Sequence, residues 1–508
     1  MSSSAATGVA PADATRDYGS VQALIAWLDA NSLLILGLAV VAVVSLVQLP
    51  QHITQDTWLA LVDGRYIAAH GIPQHDTLFA ITRGTHWYDQ QWLAQLALYG
   101  LNQIGGLALY GLVYVALTMA GFVLSVGAAR ALGASERHIL WVLPFAGFFY
   151  FAGSSNVRTQ GFAYALFSAT LWLLARETRG ARDRRVYLVF VLLILWGNLH
   201  GSVTLGVALA VLAGAVLLVQ DLSDGRWRGG LGSVRARSVA LIVASPVCLL
   251  INPYGPGIAT YYRETIFNPA FSKVVSEWQP ITASMALAVP FFFVAAFTVW
   301  LMGRGGRRLA AFDQLAMVVL AAAALLAVRN VAWYGLGAMA LVPGMLTRLF
   351  PSGEPAPRRT RLNLSLVGVS ALIVLVAVIS IATRPSSWFA RGYDARALAA
   401  VTRIAREQPG AKIWVDNRFA DWLLWRDPSL AGRIGYDIRF ELLTAEELDG
   451  ITNAAALPAP HQPSLIDGYH VLVLDRSSAA TPRLLARSGT DVVVRGHGVT
   501  VATWRPPS

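Results

Sequence analysis

Apolar runs close to a bilayer's thickness recur from residue 32 to residue 382, and they leave this chain few ways to fold. A helix needs about 20 apolar residues to cross the hydrocarbon core, where each backbone polar group must be satisfied within its own segment. Hydropathy gives about 11 spans. They lie near 32–49, 107–129, 138–152, 160–175, 186–198, 201–220, 238–252, 282–302, 313–328, 331–348 and 363–382. Charged residues make up 14% of the chain, where a soluble chain carries about 25%. The fold class expected is mainly α, a polytopic transmembrane helical bundle.

The net charge of +11 comes from arginine, since lysine occurs only at 273 and 412. The arginines cluster in the loops 130–137, 176–185, 226–237, 304–308 and 348–361. With the span count above and a cytoplasmic N-terminus, all of these loops fall on one side, which the positive-inside rule makes cytoplasmic. The basic balance therefore reads as topology beside anionic lipid and not as nucleic-acid binding. Residues 1–30 are expected to form a disordered cytoplasmic tail. No small-residue cleavage site follows the first span, which reads as a retained helix. The one cysteine, Cys248, allows no intrachain disulfide.

The opposite, extracytoplasmic face collects the unusual residues. It receives a long polar loop at 50–106, the turn 156–160, the break 198–201, the loop 252–281 and the turn 329–330. The segment 89–105 is amphipathic, interrupted by Asn102 and Gln103, and reads as a surface helix separate from the span that follows. Beyond residue 383 the pattern changes: strands at 411–415, 470–474, 491–494 and 499–502, with helices at 396–406 and 482–488, make a small α/β domain over 383–508.

Chemistry concentrates on the extracytoplasmic side. Asp56 directly follows the first span, where a carboxylate can take a proton from a hydroxyl or ligate a divalent cation. It could equally cap a helix over 57–66. Asp63 reads as a partner of Arg65 or a solvated charge. His75 and Asp76 follow the turn Gly71-Ile72-Pro73 and are candidates for substrate contact or for capping. In Trp87-Tyr88-Asp89-Gln90-Gln91-Trp92, Asp89, Gln90 and Trp92 could bind a sugar, or serve as interfacial anchors and a helix cap. Arg158 and Arg329 stand on the arginine-poor face, where a cation near the bilayer needs a partner. A lipid-linked phosphate would supply one. Gln160, Asn198 and His200 are further polar candidates at tight breaks between spans, with interhelical hydrogen bonding the competing role. Asn252-Pro253-Tyr254-Gly255 reads as a helix end and turn. Asp437, Arg439 and Glu441 read as an acceptor contact or a solvated rim. No Gly-rich phosphate loop, HExxH, GxSxG or CxxC pattern is present, so nothing in the sequence points to ATP, haem or nicotinamide.

The order of these features resembles the GT-C glycosyltransferases, membrane enzymes that use polyprenyl-phosphate-linked sugars. Asp56, the turn Gly71-Ile72-Pro73-Gln74-His75-Asp76 and the helix 89–105 match that superfamily's first long extracytoplasmic loop. More closely, the pattern Asp56–Leu93, with Arg158-Thr159-Gln160, Asn198–Gly201 and Asn252–Gly255, is similar to a subgroup of bacterial membrane proteins of this type. The likeness covers about residues 30–385. It implies a GT-C-type bundle in a bacterial plasma membrane and a polyprenyl-phosphate sugar donor. It also implies a cell-envelope glycan, lipid or protein acceptor, and Asp56 as general base in an inverting transfer. Arg158 or Arg329 would stabilise the departing lipid phosphate, and His75 and His200 would orient the reactants. One departure stands out: many members carry two adjacent acidic residues where this chain has Asp56-Thr57. A second carboxylate would have to be Asp76 or Asp89, which leaves open a divalent metal at Asp56 or Asp76. The alternatives are a transporter or flippase of lipid-linked glycans, and an inactive scaffold of the same fold.

Overall fold

The structure is a computed structural model and describes residues 14–181, 183–223, 234–266, 275–351, 359–454 and 465–505. Expectations placed on residues 1–13 and on Arg182, Arg226, Arg228 and Arg358 lie outside the described residues.

Each apolar run named above falls on a helix. In chain order these are α1 (Ala14–His52), α2 (Gln55–His70), α3 (Trp92–Ala131), α4 (Glu136–Gly153), α5 (Gly161–Thr178), α6 (Leu188–Leu199), α7 (Val203–Ser223) and α8 (Val234–Cys248). A short helix at Ile258–Ile266 precedes Ala288–Gly305, Ala311–Leu326, Val331–Leu349 and Thr360–Ala382. Among the described residues, 5 helices are long and apolar enough to cross a membrane by length and composition: Ser20–His52, Trp92–Ala131, Val203–Ser223, Ala288–Arg308 and Thr360–Ala382. The other expected spans lie on helices that are shorter or less apolar. Residues 14–30, expected within a disordered tail, are helical from Ala14 onward. α3 breaks at Gly105 and Gly106, the latter at φ 61°, so its first segment is distinct from the apolar segment after it.

The described residues form two compact units, one within 1–47 and 353–383, the other within 48–352 and 384–508. In the first, the buried Asp29 accepts from Thr360 Oγ1 at 2.9 Å and from Asn363 Nδ2 at 2.6 Å.

The second unit is built around the helix Val331–Leu349, whose residues 331–346 are all buried. It packs on α3, α4 and α5. A Cβ at Gly335 would stand 2.7 Å from the Ala146 carbonyl oxygen and from the Tyr150 nitrogen, so α4 approaches this closely only because residue 335 is glycine. Trp333 gathers Tyr164, Phe167 and Trp196, with ring centroids 5.1, 5.2 and 5.8 Å away.

The same unit carries a four-stranded sheet in the order β1-β2-β4-β3: β1 (Ile413–Val415), β2 (Val471–Asp475), β3 (Thr490–Arg495) and β4 (Val499–Trp504). β1 and β2 are parallel and the other pairs antiparallel. The parallel pair needs a crossover, which the helices Asn417–Arg426 and Ala445–Thr452 occupy. Trp414, Tyr436, Tyr469, Leu472 and Trp504 fill one core.

The polar loop is clamped between bundle and sheet region. Ala80 and Ile81 donate to the Ile434 and Gly435 carbonyls at 2.7 and 2.9 Å, and Gly432 N–H donates to Leu78 O at 2.7 Å. Arg65 donates to the Leu424 and Trp425 carbonyls at 2.8 and 2.9 Å, which cancels orphan acceptors at the end of helix Asn417–Arg426. This overturns the expected Arg65–Asp63 pairing and the solvated alternative. Asp63 is fully buried, and Gln95 Nε2 donates to its Oδ2 at 3.2 Å.

Candidate functional site

The corner between α1 and α2 is laced to a distant turn. Thr57 Oγ1 donates to Val157 O at 2.6 Å, and Val157 N–H donates to His52 O at 3.0 Å. Two bonds across a hundred residues thus hold the turn 154–160 against the start of α2 and place Arg158 in the field of Asp56. Helix α2 begins at Gln55 with Thr54 as its cap, so Asp56 sits in the first turn and is not the cap. Its carboxyl is half-buried, and among the described residues no other side chain donates a hydrogen bond to it. Burial pushes its pKa above the usual carboxylate range, against the pull of Arg158 and Arg329, while Glu277 adds to the rise.

Four more groups complete this cluster. Arg158 is 8% exposed and pairs with Glu277 at 2.7 Å, and its Nε is buried without a partner. Burial works against the Arg158 charge, but Glu277 and Asp56 outweigh it and raise its pKa. Glu277 is also penalised by burial, yet Arg158 and Arg329 hold it below the usual carboxylate range. Val328 N–H donates to Gln279 O at 3.0 Å, which joins the 328–330 turn to the 275–281 segment. Arg329 then lies over the Trp278 ring at 4.6 Å. His200 is held far below its usual pKa by burial, then by Arg329 and Arg158. Ser202 N–H donates to its Nδ1 at 3.1 Å, which leaves the proton of the neutral ring on Nε2.

A second, acidic cluster lies where the loop meets the C-terminal region. Arg439 is its cation, pairing with Asp437 at 2.6 Å and Asp76 at 3.3 Å and lying over the Trp87 ring at 4.2 Å. Asp76 is fully buried and also accepts from Leu78 N–H at 3.0 Å and from the Thr82 hydroxyl. Asp437 and Arg439 are therefore an interior joint and not a solvated rim. Asp89 accepts from Gln91 N–H at 3.3 Å, while its Oδ2 is buried and unpartnered. Burial lifts Asp89 to about 7 and Glu441 to about 7. Glu441 and Tyr261 both feel Arg329, so the two clusters adjoin electrostatically.

The other candidates separate. His75 is exposed, bridged to His86 with ring centroids 5.3 Å apart. Trp92 Nε1 donates to Asn198 Oδ1 at 2.9 Å, and Asn198 Nδ2 donates to the Ile194 and Ile251 carbonyls, so this pair fastens α3 to the end of α6. Gln90 is buried beside Gly201, next to His200, with its Oε1 unpartnered. Gln160 is 1% exposed with both amide atoms unpartnered. The 252–255 segment is the turn expected, with Asn252 Oδ1 accepting from Tyr254 N–H at 2.8 Å.

Among the described residues no three His, Cys, Asp or Glu side chains converge as a metal-ion ligand set. Asp56 and Asp76 belong to different clusters, each beside arginine, so their surroundings do not fit a shared cation.

No protein-family model matches the sequence, and no curated protein is similar to it in sequence. Solved structures do share its architecture. ArnT from Cupriavidus metallidurans bound to undecaprenyl phosphate superposes with a TM-score of 0.50 at 14% identity, over 93% of this chain and 97% of that one. The chain has the GT-C fold. The archaeal oligosaccharyltransferase AglB from Archaeoglobus fulgidus, in complex with an inhibitory peptide and a dolichol-phosphate, gives 0.50 at 12% identity over 87% and 69%. The arabinofuranosyltransferase AftD from Mycobacteria gives 0.49 at 16% identity over 92% of this chain, which spans 40% of AftD's length.

Within this GT-C fold, sequence reasoning missed Glu277, Tyr261 and the interior role of Arg439. Glu277 has no motif around it. The signal that could have found it is Arg158 itself, since a cation on an arginine-poor face calls for a counter-charge from another loop.

Proposed function

We propose that the chain is a membrane glycosyltransferase. It moves a sugar from a polyprenyl-phosphate donor to a hydroxyl of a cell-envelope acceptor, on the face where Asp56 lies. One observation carries the reading: a half-buried carboxyl, which among the described residues has no side-chain hydrogen-bond donor, lies in the field of Arg158 and Arg329, the same two arginines that add to burial in keeping His200 neutral. The GT-C neighbours whose structures hold undecaprenyl phosphate and dolichol-phosphate support the donor class.

Asp56 takes the proton of the acceptor hydroxyl as that oxygen attacks the anomeric carbon from the face opposite the phosphate. The bond from carbon to the phosphate oxygen breaks and its electron pair leaves with the lipid phosphate, inverting the centre. A raised pKa brings Asp56 nearer the working pH, where a carboxylate base is strongest. The developing phosphate charge meets the Arg158 Nε–H, the Arg329 guanidinium and the His200 Nε2–H, donors fixed before the reaction. We place this face outside the plasma membrane, because the arginine-rich loops occupy the other end of the helices. The region 383–508 holds the acceptor.

The test is Asp56→Asn in the full chain, with mass spectrometry of lipid-linked sugars and envelope glycans from cells carrying each form. Loss of general-base assistance costs about 10²–10⁴ in rate, so the polyprenyl-phosphate sugar accumulates and the glycan product falls. A folded Asp56→Asn chain that leaves both pools unchanged overturns the proposal.

A further inference from the structure

The helix Val331–Leu349 carries an arginine at each end. Arg329 belongs to the Asp56 cluster and Arg348 does not. Nineteen residues at 1.5 Å each separate the two by about 28 Å along the helix, close to the thickness of a bilayer's hydrocarbon core. At the Arg348 end an open cavity of about 450 Å³ lies between the end of α7, the turn 306–311 and Arg348. Arg307, Arg308 and Arg348 line it with Gln220 and Gln314, and none of its lining residues is acidic.

Arg348 Nη1 donates to the Arg308 carbonyl at 3.4 Å, and its charge reaches the buried Asp313. Among the described residues neither Arg307, Arg308 nor Arg348 has an ion-pair partner, in contrast to Arg130 and Arg176 on Glu136 and Asp183. Asp313, the acid nearest in sequence, is buried and bound to Arg179. Gln314 Nε2 donates to the Gly306 and Leu309 carbonyls at 3.1 and 3.3 Å, and Gly306 makes the turn at φ 46°. This fixes the stretch that carries Arg307 and Arg308. Helix Ala311–Leu326 also starts at the cavity, and its cap residue Ala310 offers no side-chain acceptor to the first N–H groups. Guanidinium forks and open helix N–H groups around one concavity are the donor set of a phosphate site. Basic pockets between membrane helices recognise phosphate-bearing head groups in this way.

We propose that this cavity binds a phosphate group, at the membrane interface opposite Asp56. The inference does not rest on the role assigned to Asp56. Two sources carry that chemistry, an anionic lipid head group and free phosphate.

The experiment titrates the full chain, purified in a neutral detergent, with dioleoyl phosphatidylglycerol and reads bound lipid by native mass spectrometry. A parallel titration uses inorganic phosphate. The variant Arg307→Gln/Arg308→Gln/Arg348→Gln is compared with Arg184→Gln/Arg185→Gln/Arg361→Gln, which removes equal charge from other loops. About fivefold in affinity is expected per cavity arginine removed, so the cavity triple weakens binding by roughly a hundredfold and the control triple by far less. Arg348→Gln alone, expected to weaken it about fivefold, serves should the triple variant not fold. Binding of phosphatidylglycerol but not of inorganic phosphate, lost in the cavity variants, identifies a lipid head group. Loss of inorganic phosphate binding in them identifies a soluble phosphate. Equal weakening in cavity and control variants, for both ligands, overturns the proposal.

Discussion

Arg439→Met removes the cation that, among the described residues, is ion-paired inside a joint of six carboxyl groups, from Asp63, Asp76, Asp89, Asp421, Asp437 and Glu441. Arg439 is 3% exposed, so water cannot take its place. Breaking a buried pair by deleting one partner costs about 3–5 kcal/mol, because the remaining charge stays buried and unpaired. That cost exists only while the carboxyls are ionised. Burial raises the folded-state pKa of Asp63, Asp89, Asp421, Asp437 and Glu441, reaching about 7 for Asp89 and Glu441. Such groups bind more protons folded than unfolded. Stability is therefore greatest below the ordinary carboxylate range and falls as pH rises toward about 7. Without Arg439 these pKa values rise further, so at pH 5 the charge part of the cost is smaller than at pH 8, while the stacking on Trp87 and the hydrogen bonds, about 1–2 kcal/mol, are lost at either pH. At pH 8 it bears the full cost, which lowers the melting temperature by about 3–5 °C if the chain melts as one unit. Tryptophan fluorescence of the full chain in nanodiscs, heated at both pH values, measures this. An equal drop at pH 5 and pH 8, or none, refutes the charge argument.

Other perturbations test neighbouring parts. Both carboxylate oxygens of Asp421 are buried without a partner, so Asp421→Asn should raise the melting temperature at pH 8 and leave it nearly unchanged at pH 5, in the same melts. A Cβ at Gly64 would stand 2.4 Å from Gln95 O and 2.6 Å from Tyr99 Cβ. Gly64→Ala should therefore cost about 1–3 kcal/mol by overpacking and lower turnover by shifting α2, whereas Gly127→Ala, with open space, should do neither. Arg158 lowers the Asp56 pKa and Glu277 raises it. In a pH–rate profile Arg158→Gln should move the acidic limb upward and Glu277→Gln should move it downward; movement in the same direction would remove Asp56 as the titrating base.

The helices were legible because a bilayer-length apolar run has one local solution: a backbone that satisfies its own hydrogen bonds. The four strands were legible for a similar local reason, short β-branched runs bounded by turn residues. Residue chemistry marked Asp56 and Arg158, since a lone charge among apolar spans is costly. What each polar residue does was not local. Asp76 and Asp89 read alike in sequence, yet Arg439, more than three hundred residues away, takes up Asp76 and leaves one oxygen of Asp89 unpartnered. Trp92 and Asn198 read as ligand contacts or as anchors and interhelical bonds, and the fold joins them to each other. The Asp56 and Arg158 juxtaposition depends on Thr57 reaching Val157. Local pattern determined which segments are helices, which are strands and which carry charge. Partner choice, and with it burial and pKa, was decided only when folding brought distant loops together, because electrostatic environment depends on distance in space and not on separation along the chain.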